Sequence, residues 1–135
     1  METKGNIRGR DLTGCIFCKI GDERIIEETT SYVVVRDLFP VSKLHTLIIP
    51  KRHAETYFDL NDAELDEIPE ILNRQRDAIL GKDHTVTGFN IGINSGEDAG
   101  QTVMHCHIHL IPRRKGDMEN PRGGVRGVIP DKRIY

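Results

Sequence analysis

Two short β-rich runs open the readable pattern of the chain. Arg24-Ile25-Ile26-Glu27-Glu28-Thr29 and Tyr32-Val33-Val34-Val35-Arg36 are separated only by Thr30-Ser31, which predicts two adjacent antiparallel strands. After the break at Phe39-Pro40, His45-Thr46-Leu47-Ile48-Ile49 reads as a third strand, closed by Pro50 because proline has no N–H to give a ladder. Thr87 to Asn94 alternates larger apolar side chains with small or polar ones and reads as a fourth strand, and Val103 to Pro112 as a fifth. Between the third and fourth the period becomes helical: Leu65, Ile68, Leu72 and Ile79 share one face, opposite mostly charged positions. Asn61 followed by Glu64 gives a capping-box pattern with Leu60 as a hydrophobic staple, and Gly81 suits a C-terminal cap. Pro69 breaks this regularity, and its missing donor predicts a kink or a restart of the helix near Glu67. Residues 1–14 follow neither period and read as a flexible leader, while glycine and proline from about residue 116 onward predict an irregular tail.

These elements sum to an α+β fold: a mainly antiparallel sheet of about five strands with one principal helix and a short second one, in a single domain over residues 15–135. The length of 135 residues agrees with one domain. Hydrophobic residues at 37% and charged residues at 30% suit a water-soluble globular chain, and apolar runs such as Leu47-Ile48-Ile49 fall far short of the roughly 20 residues that span a bilayer. Nineteen Lys and Arg against twenty-one Asp and Glu leave a net charge of −2, no attractive field for a nucleic-acid polymer. The basic side chains gathered at Arg113, Arg114, Lys115, Arg122, Arg126, Lys132 and Arg133 fit either solvated charge or a small phosphorylated ligand. The first residues lack the apolar segment of a secretory signal, so a cytoplasmic, reducing location is expected.

The candidate chemistry concentrates in His105-Cys106-His107-Ile108-His109. On a strand, alternate side chains share a face, so the three imidazoles would line one face while Cys106, Ile108 and Leu110 line the other. The outer two would then stand roughly 13 Å apart along the strand, too far to bind one metal without a bend. His45 and His53 lie in or beside another strand, so five of the six histidines belong to two segments. Cys15 and Cys18, in a C-x-x-C spacing with no strand before it, read as half of a metal site rather than a thioredoxin-like redox pair. The loop Gly96-Glu97-Asp98-Ala99-Gly100-Gln101-Thr102 leads into the histidine segment and on its own residues reads as a turn.

His105-Cys106-His107-Ile108-His109-Leu110-Ile111 resembles the His-x-His-x-His-x-x signature of the histidine triad family. The resemblance extends to Gly92-Ile93-Asn94-Ser95-Gly96, to Gly100-Gln101-Thr102-Val103, to His45 through His53 and to Cys15-Ile16-Phe17-Cys18. Within the family the chain resembles the diadenosine tetraphosphate hydrolase-like branch, and the tail Pro121 to Pro130 is similar to that branch.

The resemblance implies a nucleotide hydrolase or transferase in which His107 attacks the α-phosphorus of a dinucleoside polyphosphate or nucleoside phosphoramidate, forming a nucleotidyl-histidine. His109 and His45 would flank the nucleophile. Asp37 would bridge the ribose hydroxyls, and Asn94, Gly100, Gln101 and Thr102 would meet the phosphate. The resemblance also implies a structural zinc ion on Cys15, Cys18, His53 and His105, Mg2+ carried by a polyphosphate substrate, and a homodimer. Three other readings stay open on the residues: a phosphorylase outcome of the same adduct, a nucleotide-binding module without turnover, and a metal oxygenase or isomerase using the strand histidines as ligands to one redox metal.

Overall fold

The computed structural model describes residues 14–135; the expected leader lies, apart from Gly14, outside the described residues. Five strands form one sheet: β1 (Ile25–Glu28), β2 (Tyr32–Arg36), β3 (Thr46–Pro50), β4 (Val86–Ile93) and β5 (Ile108–Arg114). Their spatial order is β1-β2-β3-β5-β4, and every pairing is antiparallel. A single α-helix, α1 (Asp62–Lys82), covers one face, and the remaining helical pieces among the described residues are 3-10 turns, including Tyr57–Asp59 just before α1.

The expected capping box is present at the start of α1: Glu64 N–H donates to Asn61 Oδ1 at 2.9 Å and Asn61 N–H to Glu64 Oε1 at 2.8 Å. Contrary to the expected restart, α1 continues through Pro69. Pro69 is solvent-exposed, so the carbonyl one turn earlier that loses its donor lies on the side where water reaches it. Nor does Gly81 cap the helix; it is helical, and the C-cap is Asp83, whose N–H reaches Ile79 O at 3.0 Å.

The helix packs on the face formed by Tyr32, Val34, Ile48 and Ile108, where Ile71 is fully buried and Ile68 and Leu72 close the edges. Tyr32 is locked by a 2.9 Å hydrogen bond from its hydroxyl to Glu64 O on the helix. The Glu64 carboxylate is itself buried and takes two hydrogen bonds from the Arg52 guanidinium, at 2.8 and 3.0 Å. Alternation along β2 and β3 sends Val35, Leu47 and Ile49 to the opposite face, where Phe17 and Ile20 pack from the N-terminal segment. That second face carries the site. The tail from residue 116 forms no strand; it holds two 3-10 turns, Gly124–Val128 and Pro130–Lys132.

Ile71 fills the interface between helix and sheet, so truncating it leaves a cavity in the main core. We expect Ile71→Ala to lower unfolding stability by about 3 kcal/mol and Leu72→Ala, at the edge, by clearly less, as read from urea denaturation midpoints.

Candidate active site

The strand expected from Val103 begins only at Ile108, so His105 and His107 stand before the sheet ladder and only His109 is in it, opposite Leu47. The single shared face therefore does not describe the three rings. Leaving the ladder lets the His105 carbonyl turn toward the ring two residues on, and His107 Nδ1–H donates to it at 2.8 Å. This fixes the tautomer of His107: Nδ1 holds the proton and Nε2 carries a free lone pair. His107 is 8% exposed and lines a cleft, while Phe17 presses against its ring at a centroid distance of 4.9 Å.

A second hydrogen-bond chain begins at the turn before β3. Leu44 is the only described non-glycine residue with positive φ, 73°, and the turn it makes aims the His45 ring back at its own loop. His45 Nδ1 accepts the Val41 N–H at 3.0 Å, so its proton must sit on Nε2. From Nε2 it faces His109 Nδ1 at 2.9 Å and Asp37 Oδ2 at 3.5 Å. His109 Nδ1 is thereby the acceptor, and Nε2 of His109 carries that ring's proton. Burial lowers the pKa of His45, against the opposing charge of Asp37. Burial, with His107 and His45 alongside, lowers that of His109 to about 4. Both rings are therefore neutral donors and acceptors near pH 7.

Asp37, His45 and His109 present their ligand atoms within 4.8 Å of one another, which at first sight suits a two-histidine, one-carboxylate metal. The proton assignment argues otherwise. A neutral His45 that accepts the Val41 N–H through Nδ1 has no lone pair to give at Nε2.

The cleft has a volume of about 450 Å³. Ile16, Phe17, Leu38, Phe39, Val41 and Leu47 give it apolar walls, and Arg24, Asp37, Asn94, Gly100, Thr102 and the rings of His45, His107 and His109 give it polar ones. Gly100 sits at φ 94°, a conformation that glycine adopts without strain, and it ends the 3-10 turn Glu97–Ala99 beside the histidines. Gln101 does not join the lining. It is 3% exposed, its Nε2 donates to Glu55 O and Val103 O at 2.6 and 3.1 Å, and its Oε1 accepts the Gly96 N–H at 2.8 Å. Its side chain staples the loop, with both amide hydrogens and the amide oxygen bonded within the protein. Cys106 is buried, and burial pushes its thiol up to about 11, away from any nucleophilic role.

Behind His107, Cys15, Cys18, His53 and His105 converge with all four ligand atoms within 4.8 Å. Cys15 Sγ is 3.3 Å and Cys18 Sγ 3.4 Å from His105 Nδ1; His53 Nδ1 is 3.2 Å from Cys18 Sγ and 3.1 Å from His105 Nδ1. The edges of a tetrahedron with zinc-like bond lengths of about 2.0 to 2.3 Å are roughly 3.3 to 3.8 Å; the donors match that ion in type and number, and their separations of 3.1 to 3.4 Å lie at or slightly inside the short end of that range. His105 Nε2–H donates to Pro50 O at 2.8 Å, which leaves Nδ1 as the ligating lone pair.

The basic side chains near the C-terminus turn away from the cleft. Arg113 pairs with Asp117 at 2.7 Å and Arg114 with Asp83 at 3.0 Å. Arg122 and Arg126 stack on Tyr135, and Arg133 donates to Asn120 O and Arg122 O. That knot closes through Gly123, where a Cβ would lie 2.0 Å from Arg133 O. The apolar wall residues Ile16, Phe17, Leu38, Phe39 and Val41, and the polar Arg24, carried no motif that marked them in the sequence as cleft residues.

A five-stranded antiparallel α+β domain carries a hydrogen-bonded histidine trio at one sheet end and a Cys2His2 cluster behind it. Residues 20–116 match the HIT domain, and the chain belongs to the HIT family. It is 38% identical over 125 residues to an uncharacterized HIT-like protein of Methanocaldococcus jannaschii, covering 87% of this chain and 94% of that protein. It is 42% identical over 114 residues to the nitrilase and fragile histidine triad fusion protein of Caenorhabditis elegans, covering 83% of this chain but only 26% of the fusion. It is 40% identical over 81 residues to the asymmetrical bis(5'-nucleosyl)-tetraphosphatase of Schizosaccharomyces pombe, 60% of this chain and 44% of that one. Among solved structures, a HIT family protein from Bacillus anthracis aligns with TM-score 0.71 at 38% identity, covering 77% of this chain and 76% of the other. A zinc-bound histidine triad protein from Mycobacterium smegmatis aligns with TM-score 0.70 at 31% identity, covering 80% and 81%. The relatives carry mixed descriptions, so they fix the family and not its branch. No helix of the described residues is long and apolar enough to cross a membrane.

An unfolded histidine titrates near 6.5, while His109 in the native protein does so at about 4. Between those values the unfolded chain binds a proton that the native chain does not. Stability from this ring is therefore complete above about pH 6.5 and is lost as pH falls toward 4. We expect the urea midpoint to drop across that window and His109→Asn to show a shallower drop; an unchanged slope in the variant would acquit the ring.

Proposed function

We propose that the chain is a nucleotide hydrolase or transferase working through a nucleotidyl adduct on His107 Nε2. The observation that carries this reading is the 2.8 Å bond from His107 Nδ1–H to the His105 carbonyl, which leaves Nε2 unprotonated on a ring that lines the cleft. In this reading the base lies against Ile16, Phe17 and Leu38, and Asp37 accepts the ribose hydroxyls. The α-phosphate stands at His107, with Asn94, the Gly100 and Thr102 amides and His109 Nε2–H as donors to its oxygens. Such donors, fixed in advance where charge develops, are the main contribution a protein makes to phosphoryl transfer.

Attack forms the Nε2–P bond while the bond from phosphorus to the leaving group breaks. A polyphosphate departs as an anion; an amine departs after taking a proton from solvent water, with His109 Nε2–H donating a hydrogen bond at the leaving group and His45 Nε2–H holding His109 in that tautomer. Water attacking the same phosphorus restores His107 and releases the mononucleotide, and orthophosphate or another acceptor in place of water gives the phosphorylase or transferase outcome. Dinucleoside polyphosphates such as diadenosine tetraphosphate, bearing their own Mg2+, and nucleoside phosphoramidates are the proposed substrates. The likeness to the fission-yeast tetraphosphatase supports the first of these.

The proposal includes a structural zinc ion on Cys15, Cys18, His53 and His105, supported by the donor spacing and by the zinc-bound mycobacterial relative. When bound it ties the N-terminal segment to β3 and to the stretch before β5; the chemistry stays with His107 and His109. It also includes a homodimer, supported by the eight-residue strand β4, which pairs only with β5 among the described residues.

We expect His107→Ala to reduce turnover of diadenosine tetraphosphate and adenosine phosphoramidate by about 10³-fold or more while calorimetry still detects nucleotide binding. Mass spectrometry of the acid-sensitive adduct, after an alkaline quench, should locate a nucleotide on His107 in the native enzyme; turnover unaltered by the substitution would remove the mechanism. For the metal, elemental analysis should find one zinc per chain, and Cys18→Ser should lower thermal stability more than it lowers the rate per folded molecule.

A further inference from the structure

Arg24 is the one Lys or Arg that lines the catalytic cleft among the described residues. It closes the 3-10 turn Asp22–Arg24 just before β1 and is half-buried. One end of its guanidinium is anchored, Nη2–H donating to Arg36 O at 3.2 Å on the last residue of β2, immediately before Asp37. No carboxylate stands within ion-pair distance of it among the described residues, so Nε, Nη1 and the second Nη2 hydrogen keep donors to offer, enough for one two-donor edge shared with Nη2.

Its place in the sheet decides what those donors meet. Strand order sets β2 two spacings from β5, roughly 10 Å at about 4.8 Å each, so the anchor on Arg36 lies at the Asp37 end of the cleft. It is adjacent to Asp37 and to the walls of Ile16, Phe17 and Leu38, where the nucleoside lies in the reading above. Those walls are apolar and cannot distinguish one base from another by hydrogen bonding. A guanidinium can. It offers donors only, in a planar fork that matches the paired O6 and N7 acceptors of a 6-oxopurine. Adenine sets an amino donor beside N7, which would oppose one arm of the fork.

We propose that Arg24 reads the base, and that the nucleotide whose α-phosphate this site attacks is a guanine or hypoxanthine nucleotide in preference to an adenine one. This rests on the nucleotide reading of the cleft and names its substrate class. The test is calorimetric titration of the full chain, its R24M variant and its R24K variant with GMP, IMP and AMP, and with adenosine 3′,5′-bisphosphate. GMP and IMP should bind the native chain about ten-fold more tightly than AMP. R24M should bring the three within about two-fold of each other, and R24K, which keeps the charge but not the fork, should fall between.

Equal binding of the three by the native chain, or a preference that survives in R24M, overturns the proposal. So does a bisphosphate that outcompetes GMP and loses its advantage in R24M, because Arg24 would then be holding a ribose phosphate. Absence of binding by every nucleotide would sink the nucleotide reading along with it, whereas binding without base preference sinks only the assignment of Arg24.

Discussion

The hydrogen bond from His107 to the carbonyl of His105 ties the chemistry of this protein to its architecture. An imidazole attacks phosphorus only through an unprotonated nitrogen, and that nitrogen must face the cleft at every encounter. Holding the other proton on a main-chain carbonyl achieves both at once. The carbonyl belongs to a residue whose side chain is fully buried between Pro50 and the cysteine pair, so it cannot swing. His105 thus acts in two directions: its ring completes the Cys2His2 cluster, and its peptide group sets the state of the neighbouring ring.

Around this pair the molecule keeps its two histidine groups apart by distributing protons. Four of the five rings have one nitrogen committed to a partner whose own chemistry leaves no choice: a carbonyl for His105 and His107, an amide N–H for His45, and the His45 N–H for His109. Desolvation at His109 keeps that ring from charging in neutral solution. The outcome is one face of the cleft that can accept a bond to phosphorus and another that can donate to its oxygens.

Much of the fold was legible in the residue pattern because β-branched runs and the Asn61–Glu64 box are local signals. The five strands, their antiparallel sense and the long helix all follow from them. Ile71 escaped because Leu72 fits a simple apolar spacing equally well, and Gln75, which shares the buried stripe, is polar. The site residues were legible as a set through the spacing of the histidines and cysteines, but not their arrangement. Alternation predicted a strand through His105 and His107, whereas the ring of one and the carbonyl of the other require the backbone to leave the ladder. Gln101 looked available to a ligand because its sequence position lies beside the histidines; only the fold shows Glu55 O, Val103 O and the Gly96 N–H consuming its amide.

Ile16 and Phe17 line the cleft, and the residues on either side of them are Cys15 and Cys18. Clip and wall are one tetrapeptide. Insertions or deletions that retune substrate fit on this side would shift Cys15 or Cys18 out of the Cys2His2 cluster, whereas the facing segment from Leu38 to Val41 contributes no side chain to that cluster. Divergence in what such a protein accepts is therefore freer to accumulate on the β2–β3 connection than on the N-terminal side of the same opening.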